Sequence, residues 1–171
     1  MKKHNLRKTA LCALITAVIA VSAWVSVPTP FGINLAFTLF GVSFAGFYLG
    51  AKGGLAAVSA YIALGIAGLP VFSFFSGGIG VALGHSGGFL WGFLITAVLC
   101  GIAKGVSKKS IKFLLIILSV LLCHATGIAQ YCFVTGNGLW ASFLSASLPF
   151  LAKDIIIVFL AEFTAKKLKI R

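Results

Sequence analysis

Apolar residues fill six stretches of this chain, separated by short polar or glycine-rich segments. An α-helix needs about 20 mainly apolar residues to cross the ~30 Å hydrocarbon layer of a bilayer. The pattern therefore predicts an all-α integral membrane protein, a compact six-transmembrane-helix bundle in which residues 1–171 form a single membrane domain. The predicted spans are 9–27, 35–50, 54–70, 87–103, 112–134 and 149–167.

Helix-breaking residues lie between these spans. The segment 27–32 holds two prolines and a glycine and predicts the first turn, and three glycines in 50–54 predict the second. Pro149 suits the first turn of the last helix. The chain has no repeat of fixed period, so the pattern does not support an inverted-repeat transporter.

The composition excludes a soluble enzyme. Of 171 residues, 60% are hydrophobic and 9% are charged, more apolar surface than a soluble core of this size can bury. Six spans leave no room for a separate catalytic domain. The four cysteines lie in apolar stretches without a C-x-x-C pair, so neither a disulfide framework nor a metal site is predicted.

Positive charge is distributed on one side of the predicted bundle. The chain has 14 Lys and Arg against 2 acids, a net charge of +12, and 13 of the cations fall in the N-terminus, the C-terminus and alternate connections. The intervening connections, near 28–34, 71–86 and 135–148, have none. The positive-inside rule then predicts that both termini are cytoplasmic. It also explains the cations better than nucleic-acid binding does. A cleaved signal peptide at the N-terminus is disfavoured, because its removal would destroy this alternation of charged and uncharged connections.

The remaining cation, Lys153, stands beside Asp154 in the last span. A charge within the hydrocarbon costs at least about 2.5–3.5 kcal/mol, so such residues usually face a cavity, a partner or a ligand. The competing interpretation is a solvated helix end, where the macrodipole favours an acid. We favour a ligand site near the outer surface.

The outer connection 69–89 is rich in glycine and phenylalanine. It contains neither a phosphate loop nor the full dinucleotide-binding spacing. Glycine backbone can approach a ligand closely, and Phe72, Phe74, Phe75 and Phe89 can provide apolar walls. The segment is either a lid over an outer pocket or a flexible loop with interfacial aromatics.

Polar residues occur at three further places in the predicted spans. His124 is either functional or hydrogen-bonded to a nearby backbone carbonyl, and Gln130 is the better candidate for a pocket. Glu162 and Lys166 are spaced for a structural i,i+4 ion pair.

Small residues form a stripe on the first helix, including Ala13 and Ala17. Small residues allow helices to approach closely in lipid. From the residues alone, packing inside the bundle is favoured over a docking surface for another protein.

Several segments of the sequence resemble those of a known family. The chain resembles the BioY family, the biotin-specific S-components of energy-coupling factor (ECF) transporters. The resemblance is carried by Tyr48–Gly54, Gly68–Phe72 and Gly84–Phe93, and by Leu148–Phe150 followed by Asp154. The resemblance covers nearly the whole chain and is most specific over residues 48–93.

The resemblance implies a substrate-capture subunit of a bacterial plasma membrane, not an enzyme. It implies that biotin binds at the outer face, and that the partners are a transmembrane T-component and two cytoplasmic ATPases. No cofactor is expected in this chain, because the partners use the ATP. Ala13 and Ala17 then correspond to the docking surface for the T-component, which reverses the preference for internal packing.

The chemistry of biotin agrees with this assignment. One carboxylate can accept both N–H groups of the cyclic urea, so Asp154 suits the urea. The family usually places a lysine for the ligand's carboxylate tail three residues further on, where this chain has Ile157. Lys153 lies within about 40° of the same helix face, one turn further out. We hypothesise that Lys153 takes that role.

Two more positions depart from the family pattern, His85 for its usual proline and Thr38 for its usual glutamine. The ligand could therefore be a biotin-related vitamin or precursor. Two further functions fit the same pattern of spans, namely a structural or assembly subunit without ligand and a self-sufficient channel or carrier. The predicted pocket residues beside Lys153 and Asp154 are Tyr61, Ser76, Gly77, Gly88, Phe89, Gln130 and Thr38.

Overall fold

A computed structural model describes the backbone of residues 2–28 and 33–169. Residues 29–32 of the predicted first turn, and Arg171 among the counted cations, lie outside these residues. The described part contains eight α-helices. They are α1 (Lys2–Trp24), α2 (Thr38–Leu49), α3 (Ala51–Ile66), α4 (Ile79–Leu83), α5 (Gly87–Ala103), α6 (Lys109–Thr135), α7 (Leu139–Ala146) and α8 (Leu148–Lys169).

Each of the six predicted stretches overlaps one helix, and the all-helical prediction is confirmed. The ends differ where backbone geometry decides them. Residues 35 and 36 do not begin a helix, because β2 (Leu35–Ala36) pairs antiparallel with β1 (Ser26–Val27). α3 ends before Gly68, whose φ of +99° is left-handed. α6 ends at a second left-handed glycine, Gly136 (φ +71°).

The core is built by close approach of α2, α5 and α6. A Cβ at Gly46 of α2 would overlap the carbonyl oxygen of Ala97 on α5, and a Cβ at Gly92 would lie 2.7 Å from the Cα of Cys123 on α6. Backbones can approach so closely only where side chains are small, which is how helices associate without a hydrophobic driving force. Small residues therefore determine which helix faces meet.

Large apolar side chains cover the outside of the bundle. Leu14, Leu114 and Ile156 are 61%, 64% and 67% exposed, as expected for a surface solvated by lipid. By length and hydropathy, Leu6–Trp24 and Lys109–Thr135 can each cross a membrane, and the bent pair α7 and α8 makes a third candidate if counted as one span. Three apolar helices, α2, α3 and α5, are shorter than 18 residues.

An ionic cluster links α6 and α8 at the end of the bundle that carries the cations. Glu162 Oε1 lies 2.6 Å from Lys166 Nζ and 3.7 Å from Lys112 Nζ. The predicted i,i+4 pair of Glu162 and Lys166 is thus confirmed, and Lys112 joins it from α6.

Candidate ligand-binding site

A cavity opens among α2, α3, α5, α6 and α8, with about 770 Å³ of empty space including its mouth. Its walls are partly aromatic and partly polar. The aromatic side chains are Tyr61, Phe72, Phe89, Phe93 and Phe150. The polar side chains are Asn34, Thr38, Ser73, Ser76, Ser86, Lys153 and Asp154. An apolar pocket with a few converging polar groups is the usual form of a small-molecule site.

Asp154 is the acid in this wall, only 8% exposed. Its Oδ1 lies 2.8 Å from Lys153 Nζ, and its Oδ2 lies 3.2 Å from His124 Nε2. The interpretation of Asp154 as a solvated helix end is therefore wrong, because the carboxylate is buried between an ammonium group and an imidazole.

Within residues 2–28 and 33–169, the ring nitrogens of His124 contact side chains and no backbone carbonyl, contrary to one interpretation of the sequence. Its second ring nitrogen, Nδ1, lies 2.9 Å from the hydroxyl of Ser147, at the junction of α7 and α8. Ser147 and His124 are 1% and 3% exposed. A line of buried polar side chains therefore extends from Asp154 away from the cavity.

Lys153 reaches into the cavity wall from α8 and is anchored to the hairpin. Its Nζ donates a hydrogen bond to the carbonyl oxygen of Ala36 (2.7 Å) and lies 6.0 Å from the centre of the Phe37 ring. Ile157, at the position of the family lysine, is 3% exposed and packs in the apolar core. A cation is thus available at the cavity from residue 153 and not from residue 157.

The glycine-rich connection lines the cavity and is hydrogen-bonded both to α3 and within itself. Gly78 N donates to Gly65 O (2.7 Å), and Phe72 N donates to Ser76 O (3.0 Å). These bonds favour the lid over the flexible loop. Of the four predicted phenyl walls, Phe72 and Phe89 line the cavity. Phe74 and Phe75 point outward, being 47% and 62% exposed.

Six of the nine predicted pocket residues come together in the cavity wall: Thr38, Tyr61, Ser76, Phe89, Lys153 and Asp154. Gly77, Gly88 and Gln130 do not line it. A Cβ at Gly77 would overlap the carbonyl oxygen of Leu69, and one at Gly88 that of Thr126. These two glycines therefore serve backbone packing.

Gln130 holds the lid from behind. Its Nε2 donates to the carbonyl oxygens of Ala82 (2.9 Å) and Gly84 (2.8 Å). At Gly84 O this bond adds to one from the backbone N of Gly87 (3.1 Å). The side chain thus links α6 to the connection and acts on the cavity through it.

Sequence reasoning missed Asn34, Ser73 and Ser86 as polar lining residues, and left His124 undecided. Asn34 reaches the cavity through the β1–β2 hairpin, whose pairing carries no periodic signal over two residues per strand. The two serines lie in the predicted lid, where no pattern distinguishes one hydroxyl from another. For His124, a polar side chain inside an apolar span was the available signal.

Ala13 and Ala17 are both exposed on α1. Packing inside the bundle, the interpretation favoured by the residues alone, is therefore wrong for these two positions. Ala20, seven residues after Ala13 and so within about 20° of its helix face, is buried at 8% exposure.

In residues 2–28 and 33–169, no group of three or more His, Cys, Asp or Glu residues could hold a metal ion. The four cysteines are free thiols.

Comparisons with known proteins agree on one family. The BioY family model matches residues 1–171. The chain is 39% identical over 100 residues to the biotin transporter BioY of Thermotoga maritima, covering 57% of each protein. It is 31% identical over 169 residues to the probable biotin transporter BioY of Pyrococcus horikoshii, covering 95% of this chain and 96% of the relative.

A solved structure has the same fold. It is the crystal structure of the S-component for biotin from an ECF-type ABC transporter, with a TM-score of 0.90 at 25% sequence identity. The superposition covers 100% of this chain and 95% of the other.

Proposed function

Since this chain belongs to the BioY family, a transporter family and not an enzyme family, we propose that it binds biotin and takes it up as the S-component of an ECF-type transporter. One observation carries the proposal at the level of residues. A buried carboxylate, Asp154, lies in the wall of a partly aromatic cavity with an ammonium group beside it.

The cavity offers a partner for each part of biotin. An ionised carboxylate has about four lone-pair positions. His124 takes one position on Oδ2 of Asp154, and Oδ1 has no hydrogen-bond donor among the described residues although Lys153 Nζ lies 2.8 Å away, which leaves room for the two parallel N–H groups of the urea. The rings of Tyr61 and Phe89 suit the apolar sulfur ring. Lys153 suits the carboxylate of the tail. Biotin enters from outside, beneath the connection 71–86.

The same arrangement supports six membrane spans with both termini in the cytoplasm. Glu162, which pairs with Lys112 and Lys166, lies eight residues beyond Asp154 on α8, about 12 Å further along the helix axis. The cavity therefore opens at the end of the bundle opposite the cations. With 12 residues, α2 is about 18 Å long. The β1–β2 hairpin and the connection 71–86 form the outer part of the cavity wall.

Transport requires partners, for which we propose a transmembrane T-component and two cytoplasmic ATPases in a bacterial plasma membrane. The exposed Ala13 and Ala17 support docking of the T-component on α1, because small residues allow close helix approach in lipid. ATP is then hydrolysed on the partner subunits and no cofactor binds to this chain.

Equilibrium binding of biotin to the purified protein tests the proposal. The wild type should bind biotin. Asp154→Asn should bind at least about tenfold more weakly, because charge-assisted hydrogen bonds contribute roughly 1.5–3 kcal/mol each and about 1.4 kcal/mol is tenfold. Glu162→Gln is the matched control, since it alters the other acid of the chain at the opposite end of the bundle.

Competing functions give different results. A structural or assembly subunit should bind no vitamin at all. A subunit for a biotin-related compound should bind that compound more tightly than biotin in a panel of ring analogues. A self-sufficient carrier should move biotin into vesicles that lack any ATPase, whereas an S-component should not complete uptake there.

A further inference from the structure

Three buried side chains from separate segments form one hydrogen-bonded line behind the cavity. Ser147 at the junction of α7 and α8, His124 on α6 and Asp154 on α8 are 1%, 3% and 8% exposed. The contacts are 2.9 Å from Ser147 Oγ to His124 Nδ1 and 3.2 Å from His124 Nε2 to Asp154 Oδ2. Of the three, only Asp154 lines the cavity.

The partners of His124 determine which ring nitrogen carries the proton. An ionised carboxylate can only accept hydrogen bonds, so Nε2 must donate to Asp154 Oδ2. In a neutral imidazole Nδ1 is then an acceptor, and the Ser147 hydroxyl can donate to it. A neutral ring also balances charge, because Lys153 and Asp154 already form an ion pair at 2.8 Å. An additional buried cation would have no anion of its own.

From this geometry we infer that His124, held in its Nε2–H tautomer by Ser147, is a positioning residue for the substrate-binding carboxylate. The inference rests on the proposed function. His124 keeps Oδ2 of Asp154 fixed, so that the plane of the carboxylate is set before the ligand arrives. The Phe89 ring stands at 89° to the imidazole with 5.7 Å between ring centroids. Phe89 lines the cavity and so stands between His124 and a bound ligand.

The energetic reason is preorganisation. Without the Nε2–H donor, Oδ2 would be a buried acceptor lacking its partner, and the carboxylate could turn toward Lys153. The ligand would then have to reorient Asp154 on binding, which weakens affinity. Ser147 contributes indirectly, because its hydroxyl acts on the carboxylate only through the imidazole of His124.

The test is biotin binding by purified variants, with thermal unfolding of each ligand-free variant as a check on folding. In His124→Leu the donor is lost, and we expect affinity to fall at least about tenfold. In His124→Gln the amide Nε2 can replace the imidazole Nε2–H, and affinity should return to within about threefold of the wild type. Rescue by glutamine and not by leucine identifies hydrogen-bond donation as the function.

Ser147→Ala separates a positioning line from independent structural effects. In the wild-type background it should weaken biotin binding by about threefold or more. In the His124→Gln background it should change nothing further, because glutamine leaves the serine without its Nδ1 partner. Ser145→Ala removes a half-buried serine of α7 that bonds to its own helix; this variant is the matched control and should bind as the wild type does.

Several results would overturn the inference. They are wild-type affinity in folded His124→Leu, no gain from glutamine over leucine, or additive losses from Ser147→Ala in both backgrounds. If His124→Leu does not fold, the effect of Ser147→Ala in the wild-type background is compared with its effect in the His124→Gln background, and additive losses reject the inference. Failure of the wild type to bind biotin would instead reject the proposed function, so the two failures are distinguishable.

Discussion

Lys153 on α8 donates a hydrogen bond to the carbonyl oxygen of Ala36, 2.7 Å away and 117 positions earlier in the chain. The same nitrogen lies 2.8 Å from Asp154 Oδ1. The hairpin strand β2 and the acid of the cavity therefore share one ammonium group. A ligand carboxylate entering the cavity would be a third partner for this group.

Lys153→Ala should weaken biotin binding at least about tenfold, because a charge-assisted hydrogen bond to the ligand's carboxylate contributes roughly 1.5–3 kcal/mol. Biotin amide, which lacks the charged tail, should be affected much less by the same substitution. Titration calorimetry with both ligands measures the difference. Lys52→Ala, a cation exposed at the start of α3, is the control. An equal loss for both ligands would mean that Lys153 only anchors the hairpin.

Ile157→Lys should not restore binding to the Lys153→Ala protein. Ile157 is 3% exposed and packs in the apolar core, so the new ammonium would be desolvated without a partner. We expect a lower melting temperature in detergent and no gain in biotin affinity. Ile157→Met, which keeps an apolar side chain of similar size, should stay near the parent in both measurements. Recovery of affinity in Ile157→Lys would show that residue 157 can reach the cavity after all.

Apolar periodicity and breakers were sufficient to locate the long helices, because both are local properties of the sequence. The short span predicted at 35–50 was too long by three residues at its start. Two residues of β2 pair there with β1, and no local preference announces so short a hairpin. Asn34 could not be predicted as a lining residue for the same reason.

Charged residues of the candidate site could be predicted from the sequence. Residues whose position depends on packing between helices were harder to predict. Lys153 and Asp154 were identified because an ionisable pair in an apolar span is costly. Gly88 and Gln130 were predicted as pocket residues, yet Gly88 packs against α6 and Gln130 binds the lid from behind. The contact between His124 and Asp154 joins positions 30 residues apart, which a single sequence cannot reveal.

Gln130→Leu should loosen the lid without touching the cavity wall. The carbonyl oxygens of Ala82 and Gly84 would lose their side-chain donor. Gly84 O keeps the backbone donor Gly87 N (3.1 Å), so the cost is that of one unsatisfied buried acceptor at Ala82, about 1–3 kcal/mol. We expect faster proteolytic cleavage within the connection 71–86 and faster dissociation of biotin. Ala129→Leu, on the exposed face of the same helix, serves as the control. Unchanged cleavage in Gln130→Leu would contradict the assigned role.

Ala13→Leu with Ala17→Leu should abolish assembly with the T-component while leaving biotin binding by the isolated subunit intact. Both alanines are exposed on α1, so larger side chains meet no neighbour within the described bundle but would prevent close approach of a partner helix. Co-purification of the complex and biotin binding by the free subunit are the two measurements. Ala125 and Ala129 are exposed on α6 with the same spacing of four, and their double replacement by leucine is the matched control. Loss of assembly in both double variants would indicate a general effect of bulk at the lipid-facing surface, and normal assembly in the first would remove the docking role of α1.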